Sequence, residues 1–372
     1  MTRRRGPALL ALSALLLVGS GGGAAAATAG PDPVCTVRDP RLAEASGLVW
    51  APDGVRTITD SGTPSSVYRL GRDCAVTGVR PAPVPGRDVE DLARGADGTF
   101  WLADVGDNDR VRSSVAILRL PSGGGEVTTP LAYPDGPHDA EALLLPADGR
   151  PVIVTKELGG RSGVYAPDGP LPALPAGTTP TTTPTRALRR VGELVVPPST
   201  TPGGPVGPFG AGLVTGGAIS ADGRVAALRT YTDAWLYPVT APTADAVIAG
   251  LTAAPVDVPL PDEPQGEGVA FTPDGTLLSI GESPAGRPAA TLRAIAGATA
   301  RVATARPAGA VPSGKASSPT ATPGVTDSAA GTGGPDRTGS TVALGVAAGL
   351  GAAVVLVVLV VLVLAGRRRA RR

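Results

Sequence analysis

Five times along the chain an apolar run leads into a tight polar turn and a second apolar run leads out. The turns are Ala51-Pro52-Asp53-Gly54, Gly95-Ala96-Asp97-Gly98, Pro146-Ala147-Asp148-Gly149, Ser220-Ala221-Asp222-Gly223 and Thr272-Pro273-Asp274-Gly275. Asp-Gly supplies the positive-φ position that a tight hairpin needs, so each copy predicts two antiparallel strands. Each repeat continues to a third apolar stretch, at 66–70, 115–120, 163–165, 234–239 and 290–295. An outer strand follows in four of them, at 75–79, 128–133, 188–196 and 254–260. The fifth has no outer strand of comparable quality, and residues 34–38, ahead of the first copy, are expected to supply it.

Counted Gly to Gly, the copies lie 44, 51, 74 and 52 residues apart. Four-stranded units at such a period, closed by exchange of a strand between chain ends, define an all-β fold of the β-propeller type. Closure removes the exposed sheet edges. Five blades are expected. The long third-to-fourth gap holds a Pro/Thr-rich insert, 166–186, and a second loop, 197–212. The insert lacks apolar alternation and reads as a loop, a degenerate sixth blade being the alternative. Ala166-Pro167-Asp168-Gly169 is a decoy, because it follows a third strand and not a first.

The ends of the chain belong to other classes. Residues 1–29 read as a secretory leader: Arg3, Arg4 and Arg5 precede an apolar stretch, and Ala27-Thr28-Ala29 offers a small-x-small cleavage site. Residues 341–366 are uncharged and apolar, long enough to cross a hydrocarbon core of ~30 Å as one helix. The basic tail 367–372 stays in the cytoplasm by the positive-inside rule, which places the rest outside. Pro335-Asp336-Arg337-Thr338-Gly339 departs from a sortase signal, so a retained single span ranks above wall sorting. Between globule and span, 311–340 is rich in Ser, Thr, Pro, Gly and Ala, and is expected to be a disordered stalk. The propeller therefore occupies 30–310.

Composition narrows the partners. Three of the 33 basic residues lie in the leader and five in the tail, so the part between carries about −7. That argues against nucleic acid and is compatible with cations; a monomer is expected. Cys35 and Cys74 are the only cysteines, and in an exported domain a disulfide is the default.

The chemistry is expected at one mouth of the central channel. The first strand of each blade starts there and the second returns to it. Before or at first strands stand Glu44, Asp88, Glu90, Asp91, Asp139, Glu141 and Glu267. After second strands stand Asp60, Asp104, Asp107 with Asn108, Glu157, Asp233 and Glu282. Lys156 and Arg229 join them as the candidate ligand-binding cations. Carboxylates this dense suit a hard cation, and with His138 as the only imidazole calcium is expected over zinc. The candidate metal set is Asp60, Glu90, Asp104, Asp107, Glu141, Glu157, Glu267 and Glu282. In the competing reading these acids cap strand-end amides and organise turns. A Ser-His-Asp triad would have to use His138 without any nucleophile-elbow motif. No P-loop or dinucleotide fingerprint occurs. Trp50, Trp101 and Trp235 are expected to pack between blades.

The ordered series Glu44-Ala-Ser-Gly-Leu, Asp60-Ser-Gly, Asp88-Val-Glu-Asp-Leu-Ala, Ala103-Asp-Val-Gly-Asp-Asn, Asp139-Ala-Glu-Ala-Leu, Val154-Thr-Lys-Glu, Leu228-Arg-Thr-Tyr-Thr-Asp-Ala and Gly266-Glu-Gly-Val-Ala-Phe resembles secreted actinobacterial propellers of the WD40-like or phytase-esterase-like kind. The resemblance runs over about 34–295 and implies an exported propeller without naming its substrate. The chain departs from it at Gly217-Ala218, where such relatives tend to carry an acid. Two functions follow as expectations. One is a surface-anchored module binding an extracellular ligand or partner at the acidic mouth, with structural calcium. The alternative is a metal-dependent hydrolase of phosphate or carboxylic esters, with Lys156 and Arg229 orienting an anionic substrate.

Overall fold

The computed structural model describes residues 31–60, 65–174, 179–283 and 290–305. The expected leader, stalk, membrane span and tail lie outside them. Among the described residues no helix is long and apolar enough to cross a membrane.

Among the described residues, twenty-one strands, two short α-helices and two 3-10 helices follow in order. Strand β1 (Asp32–Thr36) precedes β2 (Ala45–Ala51), β3 (Gly54–Thr59), β4 (Ser66–Leu70) and β5 (Val76–Pro81). Next come β6 (Asp91–Arg94), β7 (Phe100–Asp104), β8 (Val115–Leu120) and β9 (Val127–Ala132). The third group is β10 (Ala140–Leu144), β11 (Val152–Thr155), β12 (Arg161–Pro167), a two-residue β13 (Thr181–Thr182) and β14 (Arg186–Val195). The fourth is β15 (Val214–Ile219), β16 (Val225–Thr230), β17 (Asp233–Pro238), helix α1 (Ala244–Gly250) and β18 (Val256–Pro259). Strands β19 (Gln265–Phe271), β20 (Leu277–Glu282) and β21 (Thr291–Ile295) and helix α2 (Ala298–Ala305) end the described chain.

All five Asp-Gly turns join antiparallel hairpins, β2–β3, β6–β7, β10–β11, β15–β16 and β19–β20. The expected closing strand is present: β1 pairs antiparallel with β21, completing a sheet of order β1-β21-β20-β19. Cys35 on β1 is bonded to Cys74, which precedes β5, at a Cα–Cα distance of 5.6 Å. The disulfide thus ties the last sheet to the first.

The first strands β2, β6, β10, β15 and β19 pack side by side in that order, and β19 returns to β2. This closed ring of inner strands with sheets radiating from it is a propeller arrangement. Backbone approaches backbone here: a Cβ on Gly268 of β19 would lie 2.4 Å from the Ser46 carbonyl oxygen on β2. Strand alternation sends side chains to both faces of every sheet. The core is accordingly divided among the sheet interfaces. Leu92, Leu102 and Leu118 meet Val49, Ile58 and Val67 across one interface. Leu278, Ile280 and Leu292 meet Leu48, Tyr68 and Leu70 across the closing one. Each such leucine, wholly buried, stabilises the ring by roughly 1.5–3 kcal/mol.

Several features depart from the expectation. The insert 166–186 is not only loop, since β13 and the start of β14 pair parallel with β9. That pairing merges two neighbouring groups into one nine-stranded sheet and covers the free edge of β9. Helix α1 was not expected. Thr243 caps it by accepting the Ala246 N–H, and Asp148, in the third Asp-Gly turn, accepts the Ala244 N–H at 2.8 Å. Trp101 and Trp235 pack between sheets as expected, whereas Trp50 is half-buried and faces a cavity.

Candidate functional site

The ends of the inner hairpins opposite the Asp-Gly turns carry the acids. Four of the five inner pairings slip register by a bulge there, in β2, β10, β15 and β19. Glu141 sits within the bulge of β10 and Glu267 within that of β19, and a bulge re-aims the side chain it carries. On the returning strands, Asp60 N–H donates to the Glu44 carbonyl and Lys156 N–H to that of Asp139, which holds each strand end to its partner's start.

Around this mouth Glu90, Glu141, Glu267 and Glu282 are all buried, and each comes from a different inner hairpin or the segment entering it, except the last two, which share one. At their centre is Lys156, whose ammonium donates to Glu141 and stands 5.1 Å over the Tyr231 ring. Gln265 Nε2 donates to Glu267 at 3.0 Å. Burial pushes the Glu141 carboxyl up to about 8 against the pull of Lys156. It pushes Glu282 up to about 9, with Asp60, Glu44 and Glu141 adding repulsion. Glu90 and Glu267 are raised well above the carboxylate range by burial, then by Glu141 and their other acidic neighbours. For Lys156, burial works against the charge, but Glu141, Tyr231, Glu267 and Asp139 outweigh it and hold the ammonium protonated.

The remaining candidates have other partners. Asp104 accepts the Arg87 and Asp88 amides at 3.1 and 2.9 Å and pairs with Arg112 at 2.9 Å. Asp107 accepts the Val111 and Arg112 amides, and its own N–H donates to Asp139 at 2.8 Å. Glu157 pairs with Arg110 at 2.6 Å. Asp233 accepts the Thr201 and Thr232 hydroxyls. His138 Nε2 lies 2.9 Å from the Tyr165 hydroxyl and 3.1 Å from Asp135.

Arg229 is wholly buried and paired with Glu263 at 2.7 Å, beside the glutamate cluster but not within it. Glu263 was not anticipated; an acid just ahead of Gly266-Glu-Gly was the available signal. Asp91 also has a role that its place at a strand start did not reveal. Its carboxylate accepts the amides of Leu92, Leu143 and Gly217 at 2.8, 2.7 and 3.0 Å, clamping three inner strands together.

Hard oxygen donors of this kind suit calcium. Their arrangement, however, is built around the Lys156 ammonium. Among the described residues no group of three or more His, Cys, Asp or Glu is placed to hold a metal ion.

No protein-family model matches the chain, and no curated protein sequence matches it. Solved structures are similar at the level of gross shape. A luciferin-regenerating enzyme aligns with 13% identity and a TM-score of 0.38 over 67% of this chain and 77% of its own. The PQQ-bound aldose sugar dehydrogenase of Streptomyces coelicolor aligns with 12% identity and a TM-score of 0.37 over 71% and 96%. A gluconolactonase of Xanthomonas campestris aligns with 12% identity and a TM-score of 0.36 over 67% and 71%. The propeller assignment rests on the strand order and closure described above.

Proposed function

We propose that this chain is an exported five-bladed propeller, held at the outer membrane face by the span at 341–366, that binds a cationic ligand or partner at its glutamate mouth. The reading rests on one observation: among the described residues, Lys156 donates to Glu141 at a mouth where Glu90, Glu267 and Glu282 are also buried. Buried carboxyls packed this closely take up protons or a further positive charge. A cation at the mouth would favour the ionised form of these glutamates and so displace their protons. Calcium is one such charge, and it would compete with Lys156 for the same oxygens.

The test is the melting temperature of the purified full chain in EDTA, in excess calcium, and in spermidine as an organic cation. Saturation at a hundred times Kd adds about 2.7 kcal/mol, a rise of several degrees. A rise that disappears in Glu267→Gln supports the reading, and the cation producing it names the ligand class. No rise with either cation overturns it. Turnover of p-nitrophenyl phosphate or acetate that needs calcium and vanishes in Glu141→Gln would establish the ester-hydrolase alternative instead.

A further inference from the structure

At the end of the ring that carries the Asp-Gly turns, a cavity of 740 Å³ opens, lined among others by Trp50, Leu92, Arg94, Trp101, Arg119 and Leu143. It is distinct from the glutamate mouth. Its unusual member is Arg119, on β8. The side chain is 2% exposed, and its guanidinium lies over the Trp101 ring at 5.1 Å. Nη1 donates to the Pro172 carbonyl at 2.5 Å, Nη2 makes a long contact of 3.5 Å to the Thr129 hydroxyl, and Nε has no partner among the described residues.

No carboxylate among the described residues forms an ion pair with Arg119. Asp97 acts on it only at a distance, and Arg186 opposes its charge. The internal stretches 61–64, 175–178 and 284–289 contain no Asp or Glu that could serve. A buried charge without a counter-ion is costly, and a guanidinium prefers an oxyanion matched to its fork. The acids at the rim are otherwise engaged: Asp97 accepts the Thr99 amide and hydroxyl, Asp148 the Arg150 and Ala244 amides, and Asp222 the Ser220 hydroxyl and the Arg224 amide. Arg94, exposed at the rim, adds a second cation.

We propose that this cavity binds a small organic anion, its oxyanion group on Arg119 and its apolar or aromatic body against Trp50, Leu92 and Leu143. Carboxylates and phosphate monoesters share the required chemistry. The test is tryptophan fluorescence of the full chain titrated with benzoate, phenyl phosphate and the uncharged benzyl alcohol. Trp50 and Trp101 line the cavity and report on it, while Trp235 lies in a different interface.

Saturable change with either anion, at least about tenfold tighter than with the alcohol, is expected, and which anion does it names the class. Arg119→Met should abolish the preference for the anion, and Arg119→Lys should keep part of it. Because Arg119→Met removes a buried group, Ala221→Phe provides an independent check. This residue is exposed in the fourth Asp-Gly turn on the cavity wall, and the added ring should weaken all three probes. Absence of saturation with both anions, an equal response to benzyl alcohol, or unchanged binding in a folded Arg119→Met protein would overturn the proposal.

Discussion

Asp91 Oδ2 accepts the amide N–H of Gly217 at 3.0 Å, although the two residues are 126 positions apart in the chain. The same oxygen accepts the Leu143 amide, so one carboxylate holds β6, β10 and β15 against one another. This accounts for a small residue where an acid was expected. A Cβ on Gly217 would stand 2.9 Å from Leu144 Cδ2 and 3.4 Å from Ala142 Cβ, so an acidic side chain there would enter an apolar contact.

Asp91→Ala should therefore leave three buried amides without an acceptor and destabilise the protein by at least about 3 kcal/mol. Asp91→Asn keeps one acceptor oxygen and should fall between wild type and alanine. Urea unfolding measures both, and a loss within about 0.5 kcal/mol for alanine would refute the clamp.

Lys156→Met should destabilise by about 3–5 kcal/mol at mildly alkaline pH, because it strands Glu141 and its neighbours without their ammonium. The loss should shrink in acid, where protons neutralise the glutamates. Adding Glu141→Gln to Lys156→Met should recover part of it. A double-mutant cycle of thermal melts at two pH values reads the coupling.

Stability should fall as pH rises between about 5 and 9, the reverse of ordinary acid denaturation. Glu141 and Glu282 are raised to about 8 and about 9 from an ordinary 4.5, so the folded state binds protons more tightly than the unfolded one. The stability they contribute is fully present below the ordinary value and is lost as pH rises through the folded one. Asp39, Asp53 and Asp168 are lowered by their arginine partners and act only in stronger acid, below 3.8. A melting temperature that climbs toward pH 9 would contradict this ordering.

Gly266→Ala should be among the most damaging single changes. Its Cβ would fall 1.7 Å from Arg229 Nη2, in a guanidinium that is wholly buried and anchored by Glu263. Displacing that group breaks a buried ion pair, for a loss of about 3–5 kcal/mol seen in equilibrium unfolding. An alanine variant with wild-type stability would show that Arg229 has room to move.

Reduction of Cys35–Cys74 should lower stability by about 4 kcal/mol in the chain-entropy model. The bridge spans a sequence separation of 39 and pins the closing strand β1 to the first sheet. Calorimetry with and without a reductant, repeated on Cys35→Ser, measures it. An unchanged transition would mean that β1 holds its place by pairing with β21 alone.

Much of the fold that depends on neighbours along the chain was legible in the sequence, the short helices α1 and α2 being exceptions. Asp-Gly turns set the five hairpins, apolar alternation marked the third and outer strands, and the missing outer strand of the last repeat pointed to residues 34–38. Because first and second strands share one end of a hairpin, even the end that gathers the acids followed from their order. The tertiary structure decided which acids meet. Glu90, Glu141, Glu267 and Glu282 close on Lys156, while Asp104, Asp107 and Glu157 turn to nearby amides and arginines. The Asp91 clamp, the Arg229–Glu263 pair and the unpaired Arg119 depend on side chains whose partners lie in other sheets or loops. Bulges, glycine contacts and the reach of a few side chains determine such meetings, and none of these is a property of a local stretch of sequence.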